Sequence, residues 1–196
     1  ILAWTTTPWT LPGNVGLAVG PDVTYVKVRV SEAAANWNGA GGADVGETMI
    51  LAKDLMKEVL RHNVEIVEEF PGSQLVGRSY EPLFPDAVPR GDSDTAWTVL
   101  SADWVTTTDG TGVVHTAVMY GEDDYNLGME VGLPAFHTVG MDGSFVNGIH
   151  PELDGRYVKD CDEIIIALLS SPNGSNNTGP DSCLLYTSPS PRDYPG

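Results

Sequence analysis

Trp4-Thr5-Thr6-Thr7-Pro8-Trp9-Thr10-Leu11-Pro12-Gly13-Asn14 is the stretch from which the rest of the chain is best read. An apolar start, Ile1-Leu2-Ala3, leads through Trp4 into three consecutive threonines and then two prolines. Threonine is stiff at χ1 and favours extended backbone, while each proline fixes φ and removes a backbone donor. The pattern predicts a strand over residues 1–6 whose end presents hydroxyls and free amides to something polar. A capped turn with no further role satisfies the same residues.

Outward from this run, hydrophobic alternation predicts short strands at 15–19, 24–30, 49–51, 64–70, 96–102 and 113–115. In the second of these, Tyr25, Lys27 and Arg29 share one face and Val26, Val28 and Val30 the other. Residues 31–47 read as a loop. Helical stripes are expected at 54–62, at 121–132 with acids in its first turn, and from 155 to 169. Many short strands with isolated helices give a β-rich α/β or α+β domain, barrel-like, closed or half-closed.

The totals limit the possibilities further. The chain has 196 residues, enough for one domain with a core, and its 22 glycines and 14 prolines suit many turns. A net charge of −17 excludes nucleic-acid binding by general phosphate neutralisation, so any RNA must be held mainly by another part of a larger protein. No apolar run approaches the ~20 residues of a membrane span. Cys161 and Cys183 sit in no CxxC or Cys/His cluster, which fits a reducing, cytoplasmic setting. The chain opens without methionine inside a strand-like run and reads as a fragment. From 170 to 196 the composition shifts to Ser, Pro, Asn and Gly, and this tail is expected to be disordered or artefactual.

A second string carries chemistry: Asp109-Gly110-Thr111-Gly112-Val113-Val114-His115, then Thr116-Ala117-Val118-Met119-Tyr120-Gly121-Glu122-Asp123-Asp124-Tyr125. A polar turn delivers His115 at a strand end, and after a loop Asp124 falls in the first turn of a helix. Both side chains can face one pocket mouth, although on spacing alone a buried structural histidine and a helix-start carboxylate are the favoured reading. Metal chemistry is the competing reading, with Glu122-Asp123-Asp124 as hard-cation donors. His62, His115, His137 and His150 are scattered, however, and no HxxxH or HExxH spacing occurs.

The opening run resembles the threonine-rich peptide of isoleucyl-tRNA synthetase editing domains, and the second string resembles their Gly-Thr-Gly-aliphatic-aliphatic-His segment with its following Asp-Asp pair. Leu75-Val76-Gly77-Arg78-Ser79-Tyr80-Glu81-Pro82-Leu83-Phe84 is similar to the segment linking them. The resemblance covers residues 1–169, read as an editing (CP1) domain truncated at both ends. Thr7 favours the isoleucyl branch, since valyl and leucyl relatives typically have Arg there. Val118-Met119 departs from the family, where a proline commonly follows His-x-Ala.

This resemblance implies hydrolysis of mischarged valyl-tRNA(Ile). A synthetic pocket cannot reject a side chain smaller by one methylene, worth only ~1–3 kcal/mol, a limit for which isoleucyl-tRNA synthetase is itself the standard example. It further implies Asp124 as the anion for the substrate α-ammonium, and His115 as the steric wall beside the amino-acid side chain. Thr5, Thr6 and Thr7 become donors near the ester and the terminal adenosine, and Asn14 a polar contact or turn support. Without a Ser-His-Asp or Cys-His arrangement, water-mediated hydrolysis is expected rather than a covalent intermediate. Editing needs no cofactor; ATP and Mg2+ belong to the parent ligase, and no HIGH-like or KMSKS-like motif occurs here. The implied partners are the tRNA(Ile) 3′ acceptor end carrying valine and the rest of the parent synthetase, with no membrane. A non-catalytic acceptor-end binding module and a valyl-type editing domain are the alternatives.

Overall fold

The computed structural model describes residues 1–31, 45–60, 63–170 and, for the backbone, 184–187. Among these described residues eight strands follow in order: β1 (Leu2–Thr5), β2 (Gly16–Val19), β3 (Thr24–Val30), β4 (Thr48–Ala52), β5 (Val64–Pro71), β6 (Thr98–Ser101), β7 (Val113–Thr116) and β8 (Leu184–Thr187). Three α-helices accompany them: α1 (Met56–Val59), α2 (Glu122–Val131) and α3 (Asp162–Ser170). The strands form a five-stranded mixed sheet, ordered β6-β2-β7-β1-β8, and a three-stranded antiparallel sheet, ordered β4-β3-β5. The expected strand-rich α/β class is therefore present as two sheets over a shared core.

The junction of the sheets explains one departure from simple alternation. Val26, Val28 and Val30 of β3 are buried in a cluster with Leu2, Met49, Leu51 and Leu60. Tyr25, which alternation groups with Lys27 and Arg29, is fully buried as well, in the main core. At that end of β3 the five-stranded sheet covers the other face, so alternation no longer separates core from solvent. The Tyr25 hydroxyl donates to the Gly112 carbonyl and accepts from the Gly20 amide, and burial pushes it up to about 12. Ala52 N–H donating to Thr111 O at 2.8 Å ties the sheets together beside it.

Elsewhere the elements are shorter or more exposed than their patterns suggest. On β5 only Phe70 is buried, and Ile66 and Val67 remain 47% and 45% exposed. The register slips there: Lys27 faces Glu68 and Val28 faces Ile66, so Val67 bulges out of the edge strand. Such a bulge, with Glu65, Glu68 and Glu69 around it, blunts an edge open to pairing. The helix expected at 54–62 is a 3-10 turn (Lys53–Leu55) followed by the single turn of α1. A turn this short is held by Leu55 and Leu60 packing, not by helix cooperativity. In the segment 155–169 the helix starts only at Asp162, because Gly155 takes a left-handed φ of 73° and Tyr157 bridges to Ser144.

Within the segment 170–196, read from composition as unstructured, Leu184–Thr187 pairs in parallel with β1 along its whole length. Leu-Leu-Tyr-Thr is a β-favouring quartet in an otherwise Ser/Pro-rich stretch, and it covers the outer edge of β1. Most of the 31–47 loop, together with His62 and Cys183, lies outside the described residues. Among the described residues no helix is long and apolar enough to cross a membrane.

Candidate active site

Both strings named above end at one cavity. β1 stops at Thr5, and the chain turns there: the Thr7 amide donates to Thr5 Oγ1 at 3.1 Å. A 3-10 helix (Pro8–Gly13) begins with proline in its first turn, where the missing N–H is no loss. The opening run is thus strand end and capped turn at once. β7 lies between β1 and β2, with Trp4 opposite Val114 and Leu17 opposite His115.

The Gly-Thr-Gly turn feeds β7 for steric reasons. Gly110 and Gly112 hold φ of 70° and 72°, a region L side chains rarely adopt. A Cβ on Gly110 would lie 2.9 Å from the Trp4 ring, and one on Gly112 would lie 2.4 Å from Ala52 Cβ. Both glycines let the turn press against the two sheets and bring β7 into register. Past His115, residues 117–120 close a turn through Tyr120 N–H to Ala117 O at 3.0 Å. Val118 packs beneath α2 at Gly128, so the departure from proline is accommodated.

The cavity, about 340 Å³, is lined by Thr5, Thr6, Thr7, His115 and Asp124, with Trp4 and the 104–106 and 109–114 segments completing it. Residues up to 120 positions apart in sequence, Trp4 and Asp124, thus share one wall system. A second hollow of about 430 Å³, between 89–93 and 132–136, contains none of the expected residues. Asn14 is not on the cavity lining. It stands behind His115, its amide donating to Gly16 O at 2.9 Å and lying 3.4 Å from His115 Nδ1.

His115 is buried and both its ring nitrogens are engaged, Nε2 with Thr10 Oγ1 at 2.8 Å. Burial pulls it down to about 4, so the ring is neutral at physiological pH. Tyr80 donates to Asn14 Oδ1 at 2.6 Å, and Trp97 Nε1 donates to Asn14 O at 3.0 Å. Trp97 carries a positive φ of 56°, held by its amide donating to Val15 O and its carbonyl accepting from the Tyr80 amide. Thr10 and Tyr80 are the functional-site neighbours that strand-and-turn reasoning passes over. The signal for Thr10 was present: on a 3-10 turn, residues three apart eclipse, so Thr7 and Thr10 stack on one side. Their hydroxyls are 3.4 Å apart.

Asp124 occupies the first turn of α2 but makes no side-chain cap at Gly121. Burial, then the charge of Asp123, raises it to about 6, against a lowering hydrogen bond from the Ala117 amide. A Cβ on Gly121 would meet Asp124 Oδ2 at 2.5 Å, so glycine leaves the carboxylate its room. Trp9 serves packing: its ring meets Tyr120 edge-on at 5.3 Å, and Lys159 lies 5.8 Å over it. Among the described residues no group of three or more His, Cys, Asp or Glu is placed to hold a metal ion.

Comparison with known proteins gives the geometry a context. No protein-family model matches the chain. In fold it matches the crystal structure of GlLeuRS-CP1 (TM-score 0.56, 15% identity, 88% of this chain and 82% of that one). It likewise matches the P. knowlesi cytosolic leucyl-tRNA synthetase editing domain (TM-score 0.57, 11% identity, 88% and 82%). The fold is that of the CP1 editing domains of class I aminoacyl-tRNA synthetases. In sequence the chain is 45% identical over 175 residues to the isoleucine–tRNA ligase of Clostridium novyi, and 43% identical over 170 to that of Bdellovibrio bacteriovorus. The similarity to isoleucine–tRNA ligases runs over 85–89% of this chain, which spans about 15% of the length of these curated relatives.

Proposed function

We propose that residues 1–169 form an editing domain that hydrolyses valyl-tRNA(Ile), releasing valine and leaving the tRNA intact. The observation that carries this reading is the meeting, in one cavity, of an anion, a neutral buried ring and a run of hydroxyls. Asp124 pairs with the α-ammonium of the aminoacyl ester. His115, uncharged and fixed, limits side-chain size to that of valine. Thr5, Thr6 and Thr7 bind the ester and ribose oxygens and hold the attacking water in line. Water adds to the ester carbonyl carbon, the acyl C–O bond breaks, and the water's proton ends on the departing ribose oxygen. His115, with both nitrogens engaged inside the protein, takes no part as a base.

The acidic surface supports a division of labour in which the remainder of the parent synthetase grips the tRNA body. ATP and Mg2+ belong to ligase chemistry outside this segment, and the working location is the cytoplasm. The test compares deacylation of valyl- and isoleucyl-tRNA(Ile) by the chain and by its Asp124→Ala variant. Preferential valyl cleavage that disappears in the variant is expected. Equal cleavage of both esters refutes the size-selective site, and binding without turnover in either form makes this an acceptor-end binding module instead.

A further inference from the structure

The 3-10 helix that follows the threonine run is capped from outside itself. Thr7 holds its N-cap position, where a threonine oxygen ordinarily accepts from the second or third amide of the helix. Thr7 makes no such bond. Pro8, the next residue, has no amide to satisfy. Trp9 therefore carries the first orphan N–H of the helix, and it donates to Asp162 Oδ1 at 3.0 Å, across 153 positions of sequence. The Thr10 amide is met within the turn, by Thr7 O at 3.0 Å.

The same helix is seated at both ends on one tyrosine. The Trp9 ring meets Tyr120 edge-on at 5.3 Å, and a Cβ on Gly13 would lie 3.1 Å from the Tyr120 ring. Tyr120 is itself fixed, its hydroxyl accepting from the Thr138 and Val139 amides at 2.8 and 3.0 Å. Trp9, Tyr120 and Asp162 all stand off the cavity lining, whereas Thr7 is part of it.

We propose that Asp162 is a positioning residue for the threonine run. By taking the Trp9 amide, it relieves Thr7 of the capping role and leaves the Thr7 hydroxyl to the cavity, 3.4 Å from that of Thr5. α3, packed against the 3-10 helix, thereby sets where the run lies without touching a substrate. The exchange of caps stands on hydrogen-bond geometry alone; its effect on hydrolysis rests on the editing reading.

Amide hydrogen exchange at Trp9 and ¹³C spectra of the threonine-labelled chain read the cap without substrate. Asp162→Ala should speed Trp9 exchange about tenfold, the lower end for a hydrogen bond to a charged group. It should also shift the Thr7 Cβ signal, as that hydroxyl turns to cap Trp9. Asp162→Asn, which keeps the accepting Oδ1, should restore both. In deacylation of valyl-tRNA(Ile), Asp162→Ala should lower kcat by about ten- to a hundredfold, the scale of a misplacement of about 1 Å, with less change in KM. Asp162→Asn should restore kcat. Unchanged Trp9 exchange or an unmoved Thr7 signal in Asp162→Ala overturns the exchange of caps, and shifted signals with unchanged kcat overturn the positioning role. If the unaltered chain cleaves neither ester, the editing reading fails, while exchange and spectra still decide the cap. Should Asp162→Ala not fold, Asp162→Ser, whose oxygen stops one bond short of Trp9, must move the same signals; no movement overturns the proposal.

Discussion

His115 and Asp124 stand on two walls of one cavity, and burial acts on both, yet the results are opposite in kind. Desolvation drives each toward its neutral form. For His115 this carries the titration down to about 4, well away from working pH, and each nitrogen has a partner inside the protein. For Asp124 the same force, aided by Asp123, brings the titration up to about 6, close to working pH. One wall is therefore insensitive to ordinary changes of pH, and the other is poised to respond to them. A size filter benefits from the first property. A group that must hold and release an ammonium tolerates the second.

The largest expected effect comes from removing the charged wall. Asp124→Asn should reduce valyl-tRNA(Ile) deacylation by roughly 10–150-fold in kcat/KM, the worth of a charged hydrogen bond at ~1.5–3 kcal/mol, in a steady-state assay. Next in size is the pH profile. In the proposed role, where the ionised Asp124 pairs with the ammonium, deacylation should fall as pH drops through about 6, and Asp123→Asn should move that midpoint downward. A midpoint that ignores Asp123 would break the contrast between the walls. Gly121→Ala should cost severalfold in kcat/KM by pushing Asp124 Oδ2 aside.

The smallest effect is on stability, and its sign is distinctive. Asp124 has a folded-state titration raised above its ordinary 3.8, so its favourable contribution is complete below that pH and is lost as pH rises through about 6. His115 is depressed from 6.5, so its contribution is complete above 6.5 and is lost as pH falls through about 4. Asp124→Asn should accordingly raise the urea midpoint at pH 7 while lowering deacylation. An unchanged or lowered midpoint would show that the carboxylate is better solvated than its burial implies.

Most strands were legible because their alternation and β-branched content are local properties, as in Thr24–Val30, whose bounds coincide in sequence and structure. His115 and Asp124 could be placed at one pocket mouth from their spacing, but their convergence with Thr5–Thr7 was legible only through resemblance, since no local pattern says which strand ends lie side by side. What stayed hidden depended on neighbours. Tyr25 is buried because a second sheet covers it, Val67 is exposed because the register slips, and α1 is short because Leu60 turns extended. Thr10 was concealed differently. It sits in the most closely read stretch of the chain, but its role follows from the 3-10 turn, and a strand reading points its hydroxyl nowhere.

The 3-10 helix that carries Thr10 is fastened at Trp9, whose amide donates to Asp162 Oδ1 at the start of α3. β1 itself is flanked by β7 and β8, both far downstream. The threonine run thus leaves the ribosome about a hundred residues ahead of the strands that secure it. Closing so long a loop early is entropically costly, and contacts of this range slow folding. The site-bearing strand has to wait, unpaired, for partners not yet synthesised, and it becomes part of the cavity only when more than a hundred further residues have arrived.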